Sequence, residues 1–356
     1  MNEHLARLCR ELPEGADAAL IESDVNRRYY TGFPSSAGVL VAMRDAAVFL
    51  IDFRYIEAAR AAADGYDVEL LTKRVPQLSQ IFAKHGVKRV AVEASRTTVA
   101  AYSLLQKQFP EIEFSADGAL DAVIARHRAV KSRAEFETMC RAAAIADRAF
   151  AEILNFIRPG VTERQVANET VRLMRDFGGD GESFETIAAS GPNTSKPHAV
   201  PGARQIQAGD FFTLDFGTLL EGYCSDMTRT VAVGFVTDEQ RRVYETVQTA
   251  QEAGFAAIRP GVVCGDVDAA ARRVIEDAGY HGAFGHSLGH SLGLEIHEPP
   301  NFSPIDKTVA EAGMLLSVEP GIYLEGKFGV RIEDTVWITE DGYLNLAHSP
   351  KELLIL

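Results

Sequence analysis

Long apolar stretches are missing from this chain of 356 residues. Its longest apolar runs, residues 37–43 and 46–51, are separated by Arg44 and Asp45. Both fall far short of the roughly 20 apolar residues that span a bilayer. The first 19 residues are charged throughout and contain no apolar core of a signal peptide. We therefore expect a protein that neither crosses a membrane nor is secreted.

Paired cysteines and basic charge are also scarce. The four cysteines are widely spaced and form no CxxC pair, a usage typical of a reducing compartment. The chain has 36 Lys and Arg against 50 Asp and Glu, a formal net charge of −14. Binding to nucleic acid needs clustered Lys and Arg to neutralise phosphates. These features predict a cytoplasmic protein with no nucleic-acid partner and no membrane partner.

The length suggests two domains, at about 150 residues per domain. Residues 1–128 alternate short apolar runs with helix-like segments, which predicts an α/β domain, and they contain no cluster of groups suited to catalysis. A basic, polar stretch at 126–131 marks the boundary. Ser132 and Glu135 then match a capping box at the start of a long helix. We place the second domain at 132–356.

The second domain contains an internal repeat. Three pairs of segments match in the same order, namely 157–161 with 258–262, 209–217 with 313–321, and 226–228 with 333–335. A period near 100 residues is too long for a solenoid repeat of about 20–50 residues. The repeat predicts two related halves packed about a pseudo-twofold axis, with equivalent strands meeting at the centre.

The duplicated positions are acidic: Asp215 is equivalent to Glu319, and Asp226 to Glu333. Each acid follows or flanks an apolar, strand-like run, so all four should converge in the interior. Burying a carboxylate costs several kcal/mol unless it is paired or coordinated. Taken singly, Asp215 and Glu319 could each stabilise a turn. As two duplicated pairs, the four acids indicate a site for two divalent cations.

Histidines in the segment 285–297 supply a fifth candidate ligand. The spacing of His286 and His290 resembles that of a zinc-protease helix, but no Glu follows the first His, and glycines at 285, 289 and 293 favour a strand or packed loop. One imidazole can coordinate, which leaves the others for proton transfer or substrate contact. An oxygen-rich site with one imidazole suits Mn²⁺, Co²⁺, Fe²⁺ or Zn²⁺. Two such ions about 3.5–4 Å apart can hold a bridging water and lower its pKa.

These motifs suggest a family. The second domain resembles the pita-bread metallopeptidases, which include aminopeptidase P, prolidase and methionine aminopeptidase. The matching segments are 197–199, 214–217, 223–230, 285–299, 318–321 and 331–334. Residues 1–128 are similar to the creatinase/prolidase-type N-terminal domain, which methionine aminopeptidases lack. The resemblance implies an α/β N-terminal domain followed by an α+β pita-bread catalytic domain with the internal pseudo-twofold duplication.

The resemblance also implies a role for each motif residue. The implied metal ligands are Asp215, Asp226, His290, Glu319 and Glu333, of which Asp226 and Glu333 bridge the two ions. Glu319 is implied to accept a proton from the bridging water. The implied catalytic histidines are His198 and His297, and the implied groups around the substrate are His286 and Arg331, the arginine orienting the carboxylates. From the residues alone, His198 could instead be a histidine of a surface loop, because residues 192–202 are rich in turn formers.

The activity expected from this resemblance is that of an Xaa-Pro aminopeptidase, in which a metal-bridging hydroxide hydrolyses the bond before a proline in second position. Residues 52–55 and 348–353 look most like short bacterial aminopeptidase P-like proteins. The alternative is an Xaa-Pro dipeptidase (prolidase). A creatinase-like amidinohydrolase and a non-catalytic pita-bread binding module are further alternatives. We expect two divalent ions, Mn²⁺ with Co²⁺ or Zn²⁺ as alternatives, a small peptide substrate and a homodimer.

Overall fold

A computed structural model describes residues 2–356 of the chain. Contacts divide the chain into two compact units, with the boundary between Arg128 and Ala129. Within residues 2–356, no helix is both long enough and apolar enough to cross a membrane.

The first unit is a six-stranded sheet with helices. Its strands are β1 Ala18–Ile21, β2 Val39–Met43, β3 Ala47–Ile51, β4 Asp67–Leu70, β5 Arg89–Val92 and β6 Glu113–Ser115. Its helices are α1 Glu3–Arg10, α2 Asp24–Thr31, α3 Ile56–Ala62, α4 Arg74–His85, α5 Val99–Gln108 and α6 Ala119–Ala129. The sheet has the order β4-β3-β2-β1-β5-β6. The antiparallel pairs are β1–β2 and β2–β3, whereas β3–β4, β1–β5 and β5–β6 are parallel. The predicted α/β class is therefore confirmed.

The central strands of this sheet are the apolar runs of the sequence. Every residue of β1, β2 and β3 is buried, as expected for strands covered on both faces. One helix begins later than its sequence pattern suggests. The pattern is helical from Phe53, but α3 begins at Ile56, because Asp52 accepts hydrogen bonds from the backbone and guanidinium of Arg54 and holds a turn there.

The second unit consists of four α-helices, a short 3₁₀ helix at Gly191–Ser195 and several small antiparallel sheets. Its α-helices are α7 Arg133–Ile153, α8 Glu163–Asp176, α9 Asp238–Ala257 and α10 Cys264–Asp277. Its first six strands are β7 Gly181–Glu182, β8 Ile187–Ser190, β9 Phe211–Phe216, β10 Thr218–Leu220, β11 Tyr223–Cys224 and β12 Met227–Ala232. The remaining strands are β13 Gly289–Ser291, β14 Glu298–Phe302, β15 Leu315–Val318, β16 Gly321–Leu324, β17 Phe328–Arg331, β18 Asp334–Thr339 and β19 Gly342–Asn345.

The duplication predicted from the sequence is present in the helices. In each half a long helix, α7 or α9, is followed by a shorter one, α8 or α10, and both shorter helices have 14 residues. Both halves turn at a glycine with positive φ, 89° at Gly160 and 87° at Gly261. The capping box predicted at Ser132 and Glu135 opens α7. Two equivalent helical layers therefore cover the strands of this unit.

Two sheets bring the acidic positions together. In the sheet β12-β9-β8, Asp215 lies opposite Thr228. In the sheet β14-β13-β15-β18-β19, Val318 lies opposite Asp334 in an antiparallel pair. Glu319 and Glu333 are the next residues beyond that pair, so they leave the same end of the β15–β18 ladder side by side. The expected pita-bread architecture, with equivalent strands at its centre, is confirmed.

We predict that Gly217→Ala destabilises the protein. A Cβ at Gly217 would lie 1.8 Å from the carbonyl oxygen of Ser225, the residue before Asp226. One backbone segment must move to relieve that overlap, and overpacking of this kind lowers the free energy of unfolding by about 3 kcal/mol. The midpoint of urea unfolding measures the loss. Gly342→Ala is the control, because nothing lies within 4 Å of its added Cβ. Equal midpoints for the two variants would contradict the packing argument.

Candidate metal centre

Five side chains from separate strands and strand ends line one cavity of about 550 Å³ in the second unit. Asp215 lies in β9, Asp226 immediately precedes β12, His290 lies in β13, Glu319 follows β15, and Glu333 separates β17 from β18. The structure thus brings together the five predicted ligands. The other predicted site residues, His198, His286, His297 and Arg331, line the same cavity.

The imidazole of His290 faces the carboxylates with a lone pair. Its Nδ1 lies 3.2 Å from the carbonyl oxygen of Ser291, which can only accept, so Nδ1 carries the proton in the neutral ring. Nε2 lies 3.5 Å from Oδ2 of Asp226 and 3.4 Å from Oε1 of Glu319. Both distances exceed those of ordinary hydrogen bonds. A lone pair directed at carboxylate oxygens across such gaps suits a cation between them.

Unpartnered carboxylate oxygens support the same interpretation. Oδ1 of Asp215, Oδ1 of Asp226 and Oε1 of Glu333 are buried, and none has a hydrogen-bond partner. A buried charged oxygen without a partner is strongly unfavourable. Ligand atoms of Asp226, His290 and Glu333 all lie within 4.8 Å of one another. The donor set therefore fits divalent cations.

Burial and mutual repulsion shift the pKa values of these groups. Burial, followed by the charges of Glu333 and Asp215, raises the pKa of Asp226 well above its ordinary value. The pKa of Glu333 is raised by burial and by Glu319, and burial raises the pKa of Glu319 to about 8. Burial also lowers the pKa of His290 to about 4. The interior thus favours neutral acids and a neutral imidazole unless cations supply opposite charge.

Arg331 holds one carboxylate in place through a buried network. Its Nη2 donates to Oδ2 of Asp215 at 2.6 Å, and its Nε donates to Oγ1 of Thr228 at 3.1 Å. The Thr228 hydroxyl in turn donates to Oε2 of Glu333 at 2.7 Å. Sequence reasoning identified Arg331 but not Thr228. The duplication could have revealed Thr228, because it is equivalent to Thr335 two residues beyond an acidic position.

Tyr323 is a second residue that the sequence did not reveal. Its hydroxyl accepts from Nη1 of Arg331 at 2.8 Å and lies 2.9 Å from Nε2 of His286. His286 directs Nδ1 at the carbonyl oxygen of Ser287, so in the neutral ring Nε2 accepts the tyrosine proton. Burial lowers the pKa of His286 to about 4, which keeps that ring neutral. The sequence offered no signal for Tyr323, since its strand reads as a short apolar run.

His198 and His297 are exposed at the cavity, whereas Asp215, Asp226 and Glu333 are buried, and His290 and Glu319 are partly buried. The ring of His297 lies 4.4 Å from that of His290, edge to face. Burial, and then the charge of His198, lower the pKa of His297. His198 comes from the loop after the 3₁₀ helix, so the surface-loop interpretation describes its backbone, while its side chain lines the cavity.

The remaining wall of the cavity is largely apolar. Its apolar side chains are Phe184, Ile187, Ala199, Val200, Pro201 and Ile296. The side chain of Val200 is 82% exposed, so it presents apolar surface to an incoming ligand. The site therefore combines a cluster of candidate metal ligands with a wall suited to an uncharged ring or aliphatic group.

Comparison with known proteins places this cavity in the context of two protein families. Residues 137–340 match the model of metallopeptidase family M24, and residues 4–130 match that of the creatinase/prolidase N-terminal domain. The Xaa-Pro dipeptidase of Lactobacillus delbrueckii subsp. lactis is 38% identical over 96% of this chain and 95% of its own length.

Two solved structures are similar over nearly the whole chain. The Xaa-Pro dipeptidase from Bacillus anthracis superposes with a TM-score of 0.95 at 39% identity, over 99% of each chain. The X-Pro aminopeptidase from Thermotoga maritima MSB8 gives a TM-score of 0.91 at 33% identity, over 96% of this chain and 98% of its own.

The fold and the cavity together define a two-domain hydrolase of the metallopeptidase class, which depends on divalent metal. More narrowly, the chain belongs to metallopeptidase family M24 and carries the creatinase/prolidase N-terminal domain. The three relatives described above are named as peptidases, which favours a peptidase over the amidinohydrolase and the binding module.

We predict that Asp226→Asn has opposite effects on stability with and without metal. In chelator-treated protein the variant removes one of several repelling buried carboxylates, so it should unfold at higher urea concentration than the unaltered chain. With Mn²⁺ the order of the urea midpoints should reverse. Bound metal at 100 times its Kd raises the free energy of unfolding by about 2.7 kcal/mol, and the variant loses this gain because it binds Mn²⁺ more weakly. Glu137→Gln, at an exposed carboxylate paired with Arg133, is the control. The idea fails if Asp226→Asn is destabilising in both conditions.

Proposed function

We propose that this protein is an Xaa-Pro dipeptidase that hydrolyses the bond between an N-terminal residue and a C-terminal proline. The observation that carries the proposal is full-length similarity to two proteins named as Xaa-Pro dipeptidases, at 38% and 39% identity. Five metal-binding side chains in one cavity supply the chemistry it needs. From the sequence we expected an aminopeptidase first, but these relatives favour the dipeptidase, the alternative.

The proposed ligands of two divalent ions are Asp215, Asp226, His290, Glu319 and Glu333, all within the catalytic domain that we place at 132–356. Asp226 and Glu333 would be shared by the two ions, since one oxygen of each carboxylate faces a neighbouring side chain and the other oxygen has no partner. Mn²⁺ suits an oxygen-rich set with a single imidazole, and Co²⁺ or Zn²⁺ also fits. Such ions supply Lewis acidity, which activates water and polarises a carbonyl group.

Glu319 is the carboxylate best placed to take a proton from water. Its side chain is 16% exposed, whereas that of Asp226 is 5% exposed, and Glu333 is buried. The hydroxyl of Ser317 donates to Oε1 of Glu319 at 3.2 Å and steadies it. A proton held at Glu319 is therefore within reach of the cavity and can pass to the departing nitrogen.

His198 and His297 are the proposed donors to the reacting amide. Both are exposed at the cavity and have freedom to approach a substrate, unlike the ring of His290, whose side chain is only 13% exposed. A donor that meets the oxygen of a tetrahedral intermediate stabilises charge that develops only in the transition state. The apolar wall beside them, including Phe184 and Ile296, suits a proline ring.

One observation favours an Xaa-Pro aminopeptidase as the second candidate. Arg331 is the only Arg or Lys among the described residues of this chain that line the cavity. Its guanidinium is already bound to Asp215, Thr228 and Tyr323. The free carboxylate of a dipeptide therefore meets no uncommitted cation among these side chains, whereas the amide of a longer peptide needs none. The Thermotoga relative, named as an X-Pro aminopeptidase, is consistent with this candidate.

We also propose that the protein acts in the cytoplasm as a homodimer. The cytoplasmic assignment is supported by the four cysteines, all of which are free. The dimer is supported by the resemblance to a family whose members often pair, and light scattering coupled to gel filtration measures it.

We predict that an Xaa-Pro dipeptide is hydrolysed with a kcat/KM at least about tenfold higher than an Xaa-Pro-Yaa tripeptide, a difference of about 1.4 kcal/mol in transition-state binding. The assay is run on chelator-treated protein reloaded with Mn²⁺, Co²⁺ or Zn²⁺ in turn, and we expect the highest rate with Mn²⁺. An Xaa-Ala dipeptide is the control for proline specificity. The opposite ranking of dipeptide and tripeptide would establish the aminopeptidase instead.

We predict that His198→Gln lowers kcat by about 100-fold, the usual contribution of a positioned proton donor, without loss of bound metal. Metal content is measured by atomic emission on the same samples. His281→Ala is the control, because this exposed histidine does not line the cavity. Loss of metal along with activity would show that His198 supports the ligands rather than the substrate.

A further inference from the structure

A buried glutamine connects a helix to the two segments that carry the proposed ligands Glu319 and Glu333. Gln251 in α9 is only 1% exposed. Its amide nitrogen donates to the carbonyl oxygen of Val318 at 3.1 Å and to that of Ile332 at 3.2 Å. Val318 directly precedes Glu319, and Ile332 directly precedes Glu333. One side chain thus contacts the backbone next to two proposed ligands that are 14 residues apart in sequence.

Each of these carbonyls belongs to the planar peptide unit that leads into a ligand. The amide of Glu319, in the same unit as the Val318 carbonyl, donates to Leu288 at 2.7 Å. The amide of Glu333, in the same unit as the Ile332 carbonyl, donates to Thr228 at 3.0 Å. Both peptide planes are therefore held at both ends. Because a fixed plane sets the direction of the next Cα–Cβ bond, it also sets where each carboxylate points.

A glutamine suits this position because its amide nitrogen carries two protons, one for each carbonyl. The helix comes close enough for the contact at Gly254, one turn further along. A Cβ there would lie 3.2 Å from Cγ1 of Val318, so a larger residue would press the helix away from β15. Glu319 and Glu333 repel each other, and a link common to both segments opposes their separation.

We propose that Gln251 is a positioning residue for the metal centre, which holds Glu319 and Glu333 at a fixed separation from α9. The inference rests on the proposed function only in taking these two carboxylates as metal ligands. It is independent of which peptide the enzyme cleaves. Gln251 does not line the cavity, so its effect must pass through the ligands.

The test is Mn²⁺ binding to chelator-treated Gln251→Met, measured by titration calorimetry with the metal alone. Methionine has a similar length and volume but no donor. We expect the affinity for Mn²⁺ to fall about 10–100-fold, as is usual when a partner of the metal ligands is lost. At saturating Mn²⁺, kcat should fall while the KM of the peptide stays within about twofold, because the substrate wall is untouched.

Tyr244→Phe is the matched control. Tyr244 lies on the same helix, is buried, and has its hydroxyl 3.1 Å and 3.3 Å from the carbonyl oxygens of Lys351 and Glu352. Removal of the Tyr244 hydroxyl also removes a hydrogen-bond donor to these two backbone carbonyls, but neither carbonyl adjoins a proposed ligand. We expect its urea midpoint to fall about as much as that of Gln251→Met, with unchanged Mn²⁺ affinity. If the methionine variant does not fold, Gln251→Leu, which is also uncharged and lacks a donor, takes its place.

Two results would overturn the inference. One is a Gln251 variant that binds Mn²⁺ as tightly as the unaltered chain, and the other is an equal loss of affinity in Tyr244→Phe. An unaltered chain that binds no Mn²⁺ would remove the metal centre itself and the inference with it. An unaltered chain that binds Mn²⁺ but cleaves no Xaa-Pro dipeptide would overturn the substrate assignment alone, and the role of Gln251 would stand on the binding data.

Discussion

Four carboxylates and the lone pair of one imidazole face each other in the interior of the second unit, and this repulsion is the constraint on which the site depends. Arg331 offsets only part of the charge, and it is bound to one of the four acids, Asp215. Oxygens of Asp215, Asp226 and Glu333 have no hydrogen-bond partner, and burial raises the pKa of Asp226 and Glu333. Such an arrangement is unfavourable by itself and becomes favourable when divalent cations occupy it. Metal binding is therefore linked to the stability of the fold.

The duplication explains how a single chain assembles this cluster. Each half contributes one acid near the end of a strand, Asp215 in β9 or Glu319 just after β15, and another just before a strand, Asp226 before β12 or Glu333 before β18. The four acids therefore occupy equivalent positions in the two halves. His290 has no equivalent acid in the other half and comes from β13, which pairs with β15 through Ser291 and Leu316. The ring of His290 also lies beside that of His297. The His290 ring faces the carboxylates of Asp226 and Glu319, while His297 is exposed at the cavity. Because of this asymmetry, the histidines line only one side of an otherwise symmetric core, and a substrate can approach on that side.

Backbone packing holds the geometry as firmly as side-chain contacts. Gly289, the residue before His290, lies so close to Ser317 that an added Cβ would be 1.9 Å from the Ser317 carbonyl oxygen. The hydroxyl of Ser317 contacts both the amide of His290 and the carboxylate of Glu319. Gln251 connects helix α9 to the segments before Glu319 and Glu333 through two hydrogen bonds. Carboxylates that would repel one another in a flexible loop are thus kept in place by uncharged contacts, namely hydrogen-bonded peptide planes, paired strands and close backbone packing.

The sequence by itself determined the α/β class of the first unit and the duplication in the second, because periodicity and repeated motifs are local or self-similar patterns. That duplication also pointed to the four acids. The roles of His198, His286, His290, His297 and Arg331 came instead from the resemblance to a family and stay predictions. It did not reveal Tyr323 or Gln251, since a tyrosine in a strand and a glutamine in a helix carry no signal of their partners. The repeat marked Thr228 through its equivalent Thr335, but it did not reveal the partners of Thr228. Only the tertiary structure decided which oxygens of the ligands are left without partners and which peptide planes are held from both ends. Those properties depend on contacts between segments as far as 116 residues apart, and such contacts exist only after the chain has packed.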